Sequence, residues 1–211
     1  MIKAVIFDMD GVLIDSEKEY LKINQLFLKE SKVNLPIEEL YFLAGSNSKV
    51  ENSFYSKILN KPIEEVQKLS NAFYKSHPVD YKKIVKPFVY EILKWLREKG
   101  IIIALASSSP LENINFVLKE LNITHYFSLI VSGEMFEKSK PNPEIYEYTV
   151  SKLGIDKKDI MVVEDSTYGI KAAHCAGLRV SAVIDEVLNF DTSLAQYKIH
   201  SLEELVGIIG E

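Results

Sequence analysis

The chain has 211 residues, 47% of them hydrophobic and 26% charged, with a formal net charge of −5. That length holds one core domain plus a modest insertion, and the negative balance argues against nucleic acid, whose phosphates need a basic face. Cys175 is the only cysteine, so no internal disulfide forms; the N-terminal apolar run, Ala4 to Phe7, is shorter than the about 7–15 residues of a secretory signal, and no run approaches the about 18 of a membrane span. The expectation is a cytoplasmic protein with no membrane partner, acting as a monomer.

The first predicted element is a short buried strand over Ala4 to Phe7, which runs straight into Asp8, Asp10 and Gly11. In an extended chain positions i and i+2 share a face, so two carboxylates lean together. Like charges that close repel, and one resists ionising unless a cation holds both. The stretch therefore asks for a metal or an unusual proton arrangement. Residues 16 to 85 follow, seventy positions (85 − 16 + 1) with no clear strand, too many for a loop in a compact domain. Helical patterns at roughly 17–31, 36–43, 50–60 and 63–76 predict an all-helical domain inserted after the first strand. Its aromatics, among them Phe27, Tyr55, Phe73 and Tyr74, are expected to form mostly its own core.

Pro87 then suits a first helical turn that Gly100 can close. Ile101–Ala106 reads as a strand. Ser109 is expected to cap a helix with Pro110 in its first position. Leu129–Val131 is the next strand. Asn142 and Pro143 repeat the capping signature before a helix that Gly154 stops. Ile160–Val163, a short helix over 168–176 and Val180–Ile184 complete the series. The strands do not alternate with polar residues, so they are buried on both faces and parallel. The predicted fold class is α/β: a Rossmann-like parallel sheet core (1–15 and 86–211) with an inserted helical cap domain (16–85).

Ligands of open α/β sheets bind beyond the carboxyl ends of the strands. There the sequence places Asp8 and Asp10, then Ser107, then Lys140 in S-K-P-N-P, then Glu164 and Asp165. Two acidic pairs at the ends of two apolar strands are costly unless compensated. A hard cation on oxygen ligands compensates them, and Mg²⁺ keeps waters and phosphate contacts in such sites.

In order and spacing, DMDGVLIDS, ASSS, SKPNP and VVEDSTYG resemble the four motifs of the haloacid dehalogenase superfamily, in its phosphatase and phosphomutase branch with an α-helical cap. The resemblance covers nearly the whole chain. It implies that Asp8 is the nucleophile, forming an aspartyl-phosphate, and that Asp10 is the general acid–base, with its backbone carbonyl on the metal. It implies that Asp8, Asp10, Glu164 and Asp165 surround Mg²⁺, with Glu164 in direct or indirect contact. Ser107 and Lys140 would bind phosphate, and Gly11 would let the backbone N–H groups after Asp8, that of Met9 included, turn towards it. Asp15 is expected to be structural.

The implied partner is a small phosphorylated metabolite, with a sugar or polyol phosphate suggested by ASSSPL and by the cap. The resemblance leaves phosphatase against β-phosphoglucomutase-type phosphomutase. Mutases carry a His on the first cap helix, where this chain has Tyr20, and a cap Arg, where it has Lys49 after the turn Gly45-Ser46-Asn47-Ser48. Both differences favour phosphatase, with Tyr20 and Lys49 as substrate contacts. A phospho-receiver or binding module is the non-enzymatic alternative, disfavoured by the helical insert and by the full set of reactive positions.

Overall fold

The computed structural model describes residues 1–46 and 48–210. Asn47, in the turn before Lys49, and Glu211, the last residue of the expected core, lie outside them. Two compact units result, Met1–Asp15 with Tyr81–Glu211 and Ser16–Asp80. The return from the insert thus comes at Tyr81, not at residue 86. The reason is hydrogen bonding: the Asp15 N–H donates to the Ile84 carbonyl at 2.7 Å and the Lys86 N–H to that of Leu13 at 2.9 Å. Ile14 also bridges Val85 in antiparallel fashion, so 81–85 is tied to the stretch following the first strand.

The larger unit is a six-stranded, all-parallel sheet. Its strands are β1 (Ala4–Phe7), β2 (Ile102–Ser107), β3 (Leu129–Ser132), β4 (Ile160–Glu164), β5 (Arg179–Val183) and β6 (Tyr197–Ile199), in the order β3-β2-β1-β4-β5-β6. β1 lies between β2 and β4, with Ala4 opposite both Ile102 and Ile160. Strand order reverses there, which opens a crevice at the carboxyl ends of β1 and its neighbours. Alternate residues face opposite ways. Ala4, Ile6, Ala104, Ala106, Val162 and Val180 join one buried cluster with Ile145 and Tyr146 of α6 (Glu144–Leu153) and Ile170 and Ala173 of α7 (Thr167–Cys175). The odd positions Val5, Phe7, Ile103, Leu105, Met161 and Val163 are equally buried, on the opposite side of the sheet.

Local signals set the helix ends. The Asn142 side chain accepts from the Glu144 N–H at 3.0 Å and starts α6. Gly154 stops it in the left-handed conformation, its N–H donating to Val150. Ser166 caps α7 by accepting from the Gly169 N–H. α5 (Leu111–Glu120) departs from expectation: Pro110 occupies the cap position without a side-chain bond, and Ser109 is used elsewhere.

The smaller unit contains α1 (Ser16–Glu30), 3₁₀ turns over Ile37–Leu43 where a helix was expected, α2 (Ser48–Leu59) and α3 (Ile63–Ser76). Phe27 packs edge-on against Tyr55 and Phe73, with ring centres 5.0 and 5.4 Å apart. Phe42, by contrast, is exposed. A polar layer crosses this core, in which the Tyr74 hydroxyl donates to Asn24 and the Ser70 hydroxyl to Asn52. Among the described residues, no helix is long and apolar enough to cross a membrane.

Candidate active site

Pairing carries the reactive groups to one edge of the sheet. The Asp8 N–H donates to the Val163 carbonyl at 2.9 Å, which extends the β1–β4 ladder by one residue beyond Phe7 and sets Asp8 beside Glu164. There the chain turns: the Met9 carbonyl accepts from the N–H groups of Leu13 and Ile14 at 2.9 and 3.2 Å. Asp10 therefore lies beyond β1, in an isolated bridge with Ile14, and not in the ladder that holds Asp8. The turn does keep the two carboxylates close enough for the charge of Asp10 to act on Asp8.

The centre of the site is the Lys140 ammonium, whose side chain is only 6% exposed. It donates to Asp8 Oδ1 at 2.6 Å, to Glu164 Oε1 at 2.7 Å and to the Ala106 carbonyl at 3.0 Å. All three donors of an ammonium are thus used. Glu164 is the anchor of this arrangement. Its Oε1 also accepts from the buried Tyr146 hydroxyl at 2.9 Å, and its Oε2 from the N–H groups of Asp165 and Ser166 and from Ser166 Oγ. A carboxylate has about four lone-pair sites. The five donors on Glu164 hold its carboxylate in place, and Glu164 in turn orients Lys140.

Two glycines make room for carboxylates. A Cβ on Gly169 would lie 1.7 Å from Glu164 Oε1, and one on Gly11 would lie 1.8 Å from Asp165 Oδ2. Gly11 also adopts φ +75°, where a side chain is strained. Its own N–H donates to the Ile14 carbonyl at 2.7 Å. Gly11 is thus required by the Asp165 carboxylate and by the turn. Met9 has a fully buried side chain, so only its main chain can serve a ligand.

β2 and β3 bring the hydroxyls. Ser107 is buried and stands opposite Ser132. Its Oγ accepts from the Ser109 N–H at 3.1 Å, a bond that does not use its hydroxyl hydrogen. The Ser109 hydroxyl donates to Asp10 Oδ2 at 2.8 Å.

Charge at the site is unbalanced. Asp8 and Glu164 share the single ammonium of Lys140, and the charge of Asp10 also acts on Asp8. The Asp8 carboxyl is pushed up to about 8, chiefly by burial and then by the charges of Glu164 and Asp10, with Lys140 pulling the other way. Burial opposes the charge on Lys140, yet Asp8 and Glu164 hold its pKa well above the ordinary lysine value. Burial and the nearby Glu164 likewise raise the Tyr146 phenol well above its usual range, so it stays a donor.

A model of haloacid dehalogenase-like hydrolases matches residues 5–183. The chain belongs to this family. Among its relatives in the family, a Thermotoga maritima phosphorylated carbohydrates phosphatase is 31% identical, with 100% of this chain and 99% of that protein aligned. Hexitol phosphatase B of Escherichia coli is 28% identical, over 98% of this chain and 95% of the other. A solved Thermotoga maritima structure, provisionally named β-phosphoglucomutase, superposes with a TM-score of 0.82 at 27% identity and 99% coverage of each chain. With phosphatases as its curated relatives, this haloacid dehalogenase-like chain is an enzyme, a phosphoric monoester hydrolase.

Asp8, Lys140 and Glu164 are in direct contact, and Gly11 packs on Asp165. Tyr20 and Lys49 lie on α1 and α2 of the other unit, Tyr20 half-buried and Lys49 exposed. Tyr146, Ser132, Ser166 and Gly169 were given no role by the sequence, and Ser109 only that of a cap. Gly169 alone among the first four carried a signal, since a glycine in the first turn of a helix invites a search for what occupies its missing Cβ.

Proposed function

We propose that this chain is a Mg²⁺-dependent phosphatase of small sugar or polyol phosphates that works through an aspartyl-phosphate on Asp8. The observation that carries the reading is the buried Lys140 ammonium, held between Asp8 and Glu164 at 2.6 and 2.7 Å. It fixes one carboxylate at the end of β1 and offsets negative charge where a phosphate would approach. At about 4 Å and an effective dielectric of about 20, two unit charges repel by about 4 kcal/mol. A carboxylate nucleophile needs such compensation.

The all-oxygen donor set and its surplus negative charge fit a hard divalent cation. Among the described residues, no three His, Cys, Asp or Glu side chains form a ready metal cluster. The ligands would therefore be the carboxylates of Asp8 and Asp165 and the main-chain carbonyl of Asp10, completed by water and phosphate. When bound, the ion supplies charge neutralisation and orients the phosphate oxygens.

The residues of this chain do the rest. An Asp8 oxygen attacks phosphorus as the ester P–O bond breaks, and Asp10, protonated, gives its proton to the departing alkoxide. Asp10 then takes a proton from water. The resulting hydroxide attacks phosphorus and breaks the bond to Asp8, releasing inorganic phosphate and restoring the Asp8 carboxylate and the protonated Asp10. The Ser107 hydroxyl binds a phosphate oxygen throughout, and the charge of Lys140, held between Asp8 and Glu164, offsets that of the phosphate.

The sugar or polyol class rests on the two carbohydrate-phosphate relatives. The β-phosphoglucomutase-type neighbour favours a second reading, phosphomutase. Against it stand Tyr20 and Lys49: a phenol with a pKa of about 10 is a poor proton carrier at neutral pH, and an ammonium grips a second phosphate less specifically than an arginine fork.

The test is a panel of hexose and hexitol phosphates with and without excess chelator, run on the wild type and on Asp8→Asn. Phosphate release that needs Mg²⁺ and vanishes in Asp8→Asn is expected. Full turnover in chelator, or in Asp8→Asn, refutes the mechanism. Glucose 6-phosphate formed from β-glucose 1-phosphate faster than phosphate is released selects the mutase.

A further inference from the structure

We infer that Ser109 is a positioning residue for Asp10, holding its carboxyl group at the angle needed for proton transfer. The inference rests on the reading of Asp10 as the acid–base given above.

Ser109 is expected to cap α5 and does not; its hydroxyl reaches instead to Asp10 Oδ2, at 2.8 Å and ninety-nine residues away in sequence. Its backbone is pinned on both sides. The N–H donates to Ser107 Oγ at 3.1 Å, and the carbonyl accepts from Ser132 Oγ at 2.8 Å. Ser132 is itself buried, faces Ser107 across the β2–β3 register and accepts from the Glu134 N–H at 3.2 Å. The chain leaving Ser109 is held as well, since the Leu111 N–H donates to Glu134 Oε2 at 2.9 Å. A chain of hydrogen bonds anchored on two strand ends therefore presents this hydroxyl.

Such help matters because Asp10 lies beyond β1, in an isolated bridge with Ile14 and outside the ladder that fixes Asp8. Proton transfer is sensitive to small errors of placement. When Asp10 has given its proton to the leaving group, the Ser109 bond to it becomes charge-assisted. Ser109 thus supports the state that forms during bond breaking more than the state before it, which is what acceleration requires.

Ser109→Ala tests this cleanly, because both backbone bonds of residue 109 survive the change. With hexose or hexitol phosphates, whose alkoxides need a proton, kcat/KM should fall about tenfold, with the loss in kcat and KM within about twofold. With p-nitrophenyl phosphate, whose leaving group needs little help, kcat/KM should stay within about twofold. Ser109→Thr should restore most of the alkyl activity. Adding Ser109→Ala to Asp10→Asn should cost nothing further. Equal losses on alkyl and aryl esters, or a double variant slower than Asp10→Asn alone, overturn the inference. If Asp10→Asn discriminates between the two ester classes and Ser109→Ala does not, the positioning role alone falls. If Asp10→Asn itself fails to discriminate, the acid–base reading falls and takes this one with it.

Discussion

Replacing Gly169 by alanine sets two physical arguments against each other. On propensity alone the change stabilises, because alanine in a helix is favoured over glycine by about 0.8–1.0 kcal/mol. Packing says the opposite. The new Cβ would sit 1.7 Å from Glu164 Oε1 and 2.0 Å from its carboxyl carbon. A free glutamate would swing away at little cost, but Glu164 is 1% exposed and bound by Lys140, Tyr146, Ser166 and two backbone N–H groups. Overpacking costs about 1–3 kcal/mol, and one lost bond to a charged group about 1.5–3 kcal/mol. Less the propensity gain, the net loss is about 3 kcal/mol. At about 2–4 °C per kcal/mol for a chain of this size, Tm should fall by about 6–12 °C. Activity should fall with it, since Glu164 sets the position of Lys140. Differential scanning calorimetry and a phosphate-release assay read both effects. A Tm that rises would mean that the Glu164 carboxylate does not lie beneath the first turn of α7, and the account of Lys140 would fail.

Two further perturbations probe other parts of the molecule. Asp165→Asn removes one of two proposed carboxylate ligands and should raise the Mg²⁺ concentration for half-maximal activity by tenfold or more on the order of a lost charged ligand, read by metal titration; an unchanged requirement removes Asp165 from the ligand set. Burial raises the pKa of Glu51 in the smaller unit, so its charged form is disfavoured when folded and stability falls as pH rises from the unfolded value through the folded one. Glu51→Gln should therefore raise Tm at pH 7, with the gain disappearing below about pH 4, where both states are protonated; a gain independent of pH defeats the burial argument.

The sheet was legible where apolar, β-branched residues ran unbroken, as in Ala4–Phe7 and Ile160–Val163. β6 was not, because Tyr197 and Lys198 are exposed and only Ile199 is buried; three residues with one inward side chain give no pattern. The acidic pairs, Ser107 and Lys140 stood out because charge after an apolar strand is costly and asks for a reason. What holds them was hidden. Tyr146 reads as one more core aromatic on a helix, and its hydroxyl has meaning only once α6, packed against β2 and β3, brings it to Glu164. Ser109 reads as a cap, since Ser-Pro before an apolar helix is a good local signal; tertiary contact with Asp10 overrides it. The tie of 81–86 to the stretch after β1 is silent in the sequence for a similar reason, as the bonds of Asp15 to Ile84 and of Lys86 to Leu13 leave no mark in composition.

The central place of β1 has a consequence for synthesis. Its partners arrive late: Ala4 waits for Ile102, ninety-eight residues on (102 − 4), and then for Ile160. At about 5–20 residues per second, the ribosome leaves this strand without its first neighbour for about 5–20 seconds. The helices of Ser16–Asp80 emerge in that interval and depend mainly on contacts near in sequence. An unpaired apolar strand is a template for wrong pairing. Here it is only four residues long and is followed at once by Asp8 and Asp10, whose charges discourage stacking on another chain. The same two carboxylates thus guard the nascent polypeptide before the sheet exists to give them any other task.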